Sequence, residues 1–228
     1  MTDRAWKSAC PSLVLALLAG GLAGPLVPPA RAQQPEVVLP ADSEVEGCGN
    51  LKNAFGPKDY RTISTFDRNL VEGAHFTTDV ETLKAGITGT VGSEIDYTLR
   101  AIPNHPRALM SMSRLGEKLK TDKAPQARYS VDCYFQRAIA FTPDDGNVHM
   151  VFGLHLLRKD KYREAIAELE RARELSGGNA NIHYNLGLAY FAVGETDRAL
   201  TEAKAAYELG FPLPGLRDKL KRAGKWTE

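Results

Sequence analysis

Residues 184–212 read YNLGLAYFAVGETDRALTEAKAAYELGFP, and two segments upstream, FGLHL (152–156) and REAIAELERARELS (163–176), repeat their pattern at an offset of 34. That offset superposes small residue on small residue: Gly153 on Gly187, Ala165 on Ala199, Ala172 on Ala206. It also puts large on large, with Phe152 on Leu186, Leu156 on Tyr190 and Leu175 on Leu209. Each copy divides into two runs of helical periodicity, Asn147–Lys159 with Tyr162–Leu175 and Asn181–Val193 with Thr196–Leu209, joined by short polar turns. Glycine or alanine is required where two helices cross closely, and bulky side chains fill the space one turn away. A fixed period of this size in a helical chain means stacked helix pairs.

The two copies resemble the tetratricopeptide repeat family. The resemblance implies an all-α, short helical solenoid whose first helices line a concave groove and whose second helices face outward. Carried onto this sequence, it assigns Met150, Leu154, Leu157, Arg158, Tyr184, Asn185, Leu188 and Phe191 to the groove. Extending the offset backwards puts Phe135, Ala138 and Pro143 on Leu169, Ala172 and Gly177, so CYFQRAIAFTPDD is the second helix of an earlier, degenerate unit. Its first helix, Pro106–Lys120, starts about six residues too far upstream, and the excess falls in the turn around Thr121–Pro125, where an insertion costs little. Residues 105–213 therefore hold two clear repeats and one degenerate one, with a further half-unit conceivable up to Pro103.

Beyond Gly210 a proline break leads into residues 214–228, an amphipathic helix with Leu216 and Leu220 on one side, suited to capping the last repeat. Before the repeats, residues 48–104 form an irregular, partly helical segment. Cys48–Tyr60 is rich in turn residues, Thr78 or Asp79 can cap a short helix running to Lys84, and Ser93–Ile102 reads as a serine-capped helix stopped by Pro103. Residues 33–47 (QQPEVVLPADSEVEG) show neither helical nor strand periodicity and read as a disordered leader.

Residues 1–32 have the build of a signal peptide: Arg4 and Lys7, an apolar run Leu13–Leu22 too short to span a bilayer, and Ala30-Arg31-Ala32 as a small-x-small cut site. Cleavage near Ala32 predicts a periplasmic or secreted protein. Lipidation would need a cysteine just after the apolar run, and Cys10 lies before it. Removing residues 1–32 takes away three basic residues and one acidic, moving the formal charge from +1 to −1. A near-neutral chain gives no electrostatic reason for a nucleic-acid partner, and no later stretch approaches a membrane span. Cys48 and Cys133 remain as the pair in an oxidising compartment, which points to a disulfide. The alternative is two separate buried thiols.

No cofactor is called for, and no catalytic residue or metal ligand is assigned. His149 and His155, six apart, point about 240° away from each other on a helix. His149 and His183 occupy equivalent slots on helices whose axes stand about 8–10 Å apart, too far to share a metal without a third ligand. The function expected is that of a protein–protein interaction scaffold for a partner of unknown identity. Two other readings stay open: a metal-binding or hydrolytic site in residues 48–105 built on Glu72, His75 and His105, and a homodimer formed through the apolar groove. The groove itself takes either a partner or the chain's own residues 48–100.

Overall fold

The computed structural model describes residues 43–226. The chain runs β1 (Glu44–Val45), β2 (Gly49–Asn50), α1 (Thr65–His75), α2 (Thr78–Glu81), α3 (Val91–Ala101), α4 (Pro106–Leu119), α5 (Val131–Phe141), α6 (Gly146–Arg158), α7 (Tyr162–Leu175), α8 (Ala180–Ala192), α9 (Thr196–Glu208) and α10 (Gly215–Arg222). It is an all-α solenoid with one two-residue antiparallel hairpin, Val45 opposite Gly49. Glu44 and Val45 therefore depart from the irregular leader expected of residues 33–47, because Val45 is buried with Cys48, Leu51 and Phe141. Residues 1–32, expected to be a signal peptide, and residues 33–42 lie outside the described residues.

The helix starts follow local capping chemistry. Asp145 and Asn179, each two residues before an amide they cap, accept from Asn147 N–H and Asn181 N–H at the heads of α6 and α8. His105 does the same for α4, its Nδ1 accepting from Ala108 N–H, with Pro106 at the first helical position where no N–H is needed. For α3 the cap is Thr90, whose hydroxyl accepts from Ser93 N–H. Ser93, expected as the cap, instead sits inside the first turn. The short helix expected behind a Thr78 or Asp79 cap is α2, but Thr77 stands at its cap position, Thr78 and Asp79 lie inside its first turn, and it stops at Glu81 rather than Lys84.

Helix pairs α6/α7 and α8/α9 stack as the offset of 34 demands. A Cβ on Gly153 would lie 2.6 Å from Leu169 Cγ and 3.4 Å from the Ala165 carbonyl, and one on Gly187 3.3 Å from the Ala199 carbonyl. The two crossings share one close approach, and the added Cβ on Gly187 would also lie 2.6 Å from Leu216 Cδ2 of α10. Leu216 and Leu220 are fully buried, so α10 closes the trailing core with Leu186, Tyr190 and Ala203. The degenerate unit is α4/α5, and the long link between them is folded back. Ala124 and Ala127 are buried, and Thr90 Oγ1 donates to the Pro125 carbonyl.

The repeat reaches further toward the N-terminus than the sequence reading carried it. At an offset of 40, α3 superposes on α5 and α4 on α6, and each second helix connects to the next first helix through four residues. The leading unit is thus α1 and α2 packed on α3, with its first helix broken at Phe76–Thr77. One contact repeats across the array. His75 Nδ1 meets Glu94 Oε2, His149 Nδ1 meets Glu168 Oε2, and His183 Nδ1 meets Glu202 Oε2, each at 2.7 Å and each across 19 residues.

Candidate functional site

The first helices form one row, α4 on α6 and α6 on α8, while direct packing among the second helices α5, α7 and α9 is slight. The row is the inner face. On α4 the stripe Arg107, Met110, Arg114, Glu117 faces this side, because Arg158 of α6 reaches over it: its Nη1 lies 2.8 Å from Met110 Sδ and its Nε 3.5 Å from Glu117 Oε2. Met150, Leu154 and Leu157 continue the stripe on α6, and Tyr184, Asn185, Leu188 and Phe191 on α8. All of these α6 and α8 residues are half-buried except Arg158, which is exposed.

The groove is partly covered from its trailing end. Tyr184 stacks on Phe211 with ring centroids 3.9 Å apart, and Lys219 lies over the Phe191 ring. Asn185 turns back on its own helix, Nδ2 donating to the Asn181 carbonyl at 2.7 Å. Met150, Leu154, Leu157, Arg158 and Leu188 form the open part, and Met110 and Arg114 extend it onto α4. The sequence reading stopped short of α4, although the offset of 40 takes Met150 onto Met110 and Leu154 onto Arg114. The described N-terminal elements pack on α3, α4 and α5 and build the leading end of the array. They leave the faces of α6 and α8 uncovered.

Glu72, His75 and His105 do not converge on one centre. His105 is fully buried. Its Nδ1 is occupied by Ala108 N–H, so the ring proton is on Nε2, which donates to Glu72 Oε1 at 3.0 Å. Burial, opposed by Glu72, pulls the His105 pKa down to about 4. His75 turns instead to Glu94 and stacks on Tyr97 at 3.9 Å. Glu94 also accepts from Thr88 N–H and its hydroxyl, at 2.7 and 2.9 Å. Burial works to raise the Glu94 pKa, but these bonds outweigh it and hold the carboxyl at about 2. Among the described residues no group of three or more His, Cys, Asp or Glu is placed to hold a metal ion.

A second polar cluster has no counterpart in the sequence reading. Asp132 Oδ1 accepts from His155 Nε2 at 2.8 Å, and the Ser113 hydroxyl meets His155 Nδ1 at 2.8 Å, beside a cavity of about 220 Å³. The atoms follow the order of nucleophile, base and orienting acid. Ser113, however, lies in the middle of α4, where backbone N–H groups are committed to the helix ladder and cannot converge on an oxyanion. The three side chains join α4, α6 and α5 as a polar bridge. Asp132 is held at about pKa 2, chiefly by the His155 hydrogen bond.

Glu168 and Glu170 of the outward helix α7 are engaged across helices. Glu168 accepts from His149, and Glu170 accepts from Tyr190 and Arg198. Cys133 of the outward helix α5 is joined to Cys48 of the β1–β2 turn, with Cα atoms 5.4 Å apart.

A model described as TPR repeat, the tetratricopeptide repeat, matches residues 153–194, which run from the middle of α6 through α7 and α8. No curated protein matches the chain. Solved structures similar to it include one titled "Crystal structure of MamA", at 16% identity and TM-score 0.47, covering 72% of this chain and 86% of that one. Another MamA structure, from AMB-1, is 20% identical at TM-score 0.44, covering 59% of this chain and 73% of its own.

Proposed function

We propose that the protein is an exported interaction scaffold whose inner face holds a segment of a partner protein. The observation that carries this reading is the row of half-exposed apolar side chains on α6 and α8, Met150, Leu154, Leu157 and Leu188, left open by every described N-terminal element. A contiguous apolar face of this kind is retained when something docks on it, and a helical or extended segment fits a groove between helices. Repeats of the kind matched at residues 153–194 supply the architecture. Export rests on the build of residues 1–32 and is supported by the Cys48–Cys133 pair, which suits an oxidising compartment. Among the described residues no helix is long and apolar enough to cross a membrane.

The test is a pull-down from envelope extract with the wild-type chain and with the Leu154→Glu/Leu188→Glu double variant. Both positions are partly exposed, so the variant is expected to fold, with unchanged far-UV circular dichroism. Partners captured by the wild type should be lost with the variant. Recovery of the same partners with both proteins would place binding elsewhere on the molecule.

A further inference from the structure

The charges of the chain are nearly balanced, 29 Lys and Arg against 28 Asp and Glu, yet they are not evenly distributed over the helices. The first helices α4, α6 and α8 carry Arg107, Arg114, Lys118 and Arg158 against a single carboxylate, Glu117, whereas α1 and α2 of the leading unit carry Asp67, Glu72, Asp79 and Glu81 against Arg68. Helices α6 and α8 contain no acidic residue at all. The outward helices α7 and α9 hold the reverse excess, seven carboxylates against five basic groups. Glu117 is paired with Arg158, which leaves Arg114, among the described residues, as the unpaired charge beside the apolar floor.

Arg114 is the clearest of them. It is exposed in the middle of the α4 stripe, between Met110 and Glu117, and among the described residues no carboxylate lies within ion-pair distance of its side chain. Arg107 stands one to two turns earlier on the same stripe, shared between Glu72 and Glu81 at 3.2 and 2.9 Å. Lys219 lies at the opposite end, over Phe191. Cations thus flank Met150, Leu154, Leu157 and Leu188 on two sides.

We propose that the inner face selects an acidic amphipathic segment of a partner protein, its apolar side chains on the α6–α8 floor and its carboxylates toward Arg114 and Arg158. The proposal rests on the groove reading above and adds the chemistry of the occupant. An acidic segment meets the unpaired Arg114 in the middle of the α4 rim and Arg158 beside it, whereas a basic one meets like charge there with Glu117 to offset it. Toward the leading end Arg107 is already shared by Glu72 and Glu81. These cations are at the rim and exposed, so they act on encounter rate and selectivity, and salt weakens their effect over a screening length of about 8 Å at physiological ionic strength.

Fluorescence anisotropy with the full, oxidised chain tests this with two designed helical peptides. They share one leucine pattern at i, i+3, i+4 and i+7, and they differ in carrying glutamate or lysine on the polar face. The acidic peptide is expected to bind at least about tenfold more tightly than the basic one, the gap narrowing as salt is raised. Arg114→Glu with Arg158→Gln should remove that preference while circular dichroism stays unchanged. Equal or tighter binding of the lysine peptide, still abolished by Leu154→Glu/Leu188→Glu, would overturn the acidic selectivity and leave the groove standing. Binding that ignores the leucine variants, or no binding of either peptide, would overturn the proposal together with the groove.

Discussion

His105 combines three tasks at one position: it caps α4 through Nδ1, donates from Nε2 to Glu72, and fills the space between the rings of Tyr60 and Phe76. The cap needs the neutral ring, since a protonated Nδ1 cannot accept, and burial makes the charged form costly enough to outweigh Glu72, hence the pKa of about 4. The unfolded chain takes up that proton near pH 6.5, so the contribution of His105 to stability is complete above that value and is lost as pH falls toward 4. Glu94 extends the loss further down. Its ordinary value of 4.5 drops to about 2 in the fold, so its contribution is present above pH 4.5 and disappears as pH falls through 2. The melting temperature of the wild type should therefore decline in two steps, one between pH 6.5 and 4 and one below 4.5. His105→Asn puts at the head of α4 the residue that caps α8 at Asn179. It is expected to lower stability overall through lost ring packing but to flatten the upper step, and an unchanged slope between pH 6.5 and 4 would remove His105 from this account.

The α6/α7 crossing depends on what is missing at Gly153, where an added Cβ would lie 2.6 and 2.9 Å from Leu169 Cγ and Cδ2. Gly153→Leu should overpack that contact and cost about 1–3 kcal/mol in urea unfolding. At Gly178, where an added Cβ meets nothing within 4 Å, Gly178→Ala should stay within about 0.5 kcal/mol of the wild type. Equal effects at the two positions would mean that the glycine match at the 34-residue offset carries no packing information. The same logic explains what the sequence reveals about the fold. Helices α4, α6, α7, α8 and α9 lie within a residue of where apolar periodicity and caps put them. Helix α5, by contrast, starts two residues before Cys133 and stops at Phe141, and α10 stops at Arg222, six residues short of the helix expected over 214–228. Helix α1 buries Val71 alone and exposes Phe66 and Leu70, so its apolar residues do not mark the face it packs with. The leading unit announces itself through His75 and Glu94 instead, a polar pair invisible to a search for apolar spacing. The groove was legible as a row of slots on α6 and α8. Its coverage by Phe211 was not, because that contact comes from a proline-flanked link whose path no local rule fixes.

At the scale of the whole molecule, two fasteners on one outward helix attach the leading hairpin to the array. Cys133 bonds Cys48, and one turn later on α5 Arg137 reaches back, its Nη1 donating to the Cys48 and Asn50 carbonyls at 3.0 and 2.6 Å. Arg137 is almost wholly buried, stacks over Tyr129 at 4.2 Å, and has no hydrogen-bond partner at Nε or Nη2 among the described residues. Burial pulls its pKa downward. Such a cation is tolerable only while the hairpin covers it with carbonyl oxygens, so the disulfide and the arginine support each other. A cross-link spanning 85 residues is worth roughly 4 kcal/mol in the chain-entropy model. Cys48→Ser/Cys133→Ser, or reduction of the wild type, should therefore lower the urea midpoint and open residues 43–51 to protease first, because those residues hold little else. Arg137→Met should deepen the second effect more than the first, since it removes the remaining clasp without reopening the long loop. Peptide binding should survive both changes, because α5 lies on the face opposite the groove. An unchanged midpoint on reduction would show that Arg137 and the small Val45–Leu51 core suffice without the covalent bond. Loss of peptide binding on reduction would instead tie the hairpin to the inner face and contradict the separation of the two surfaces.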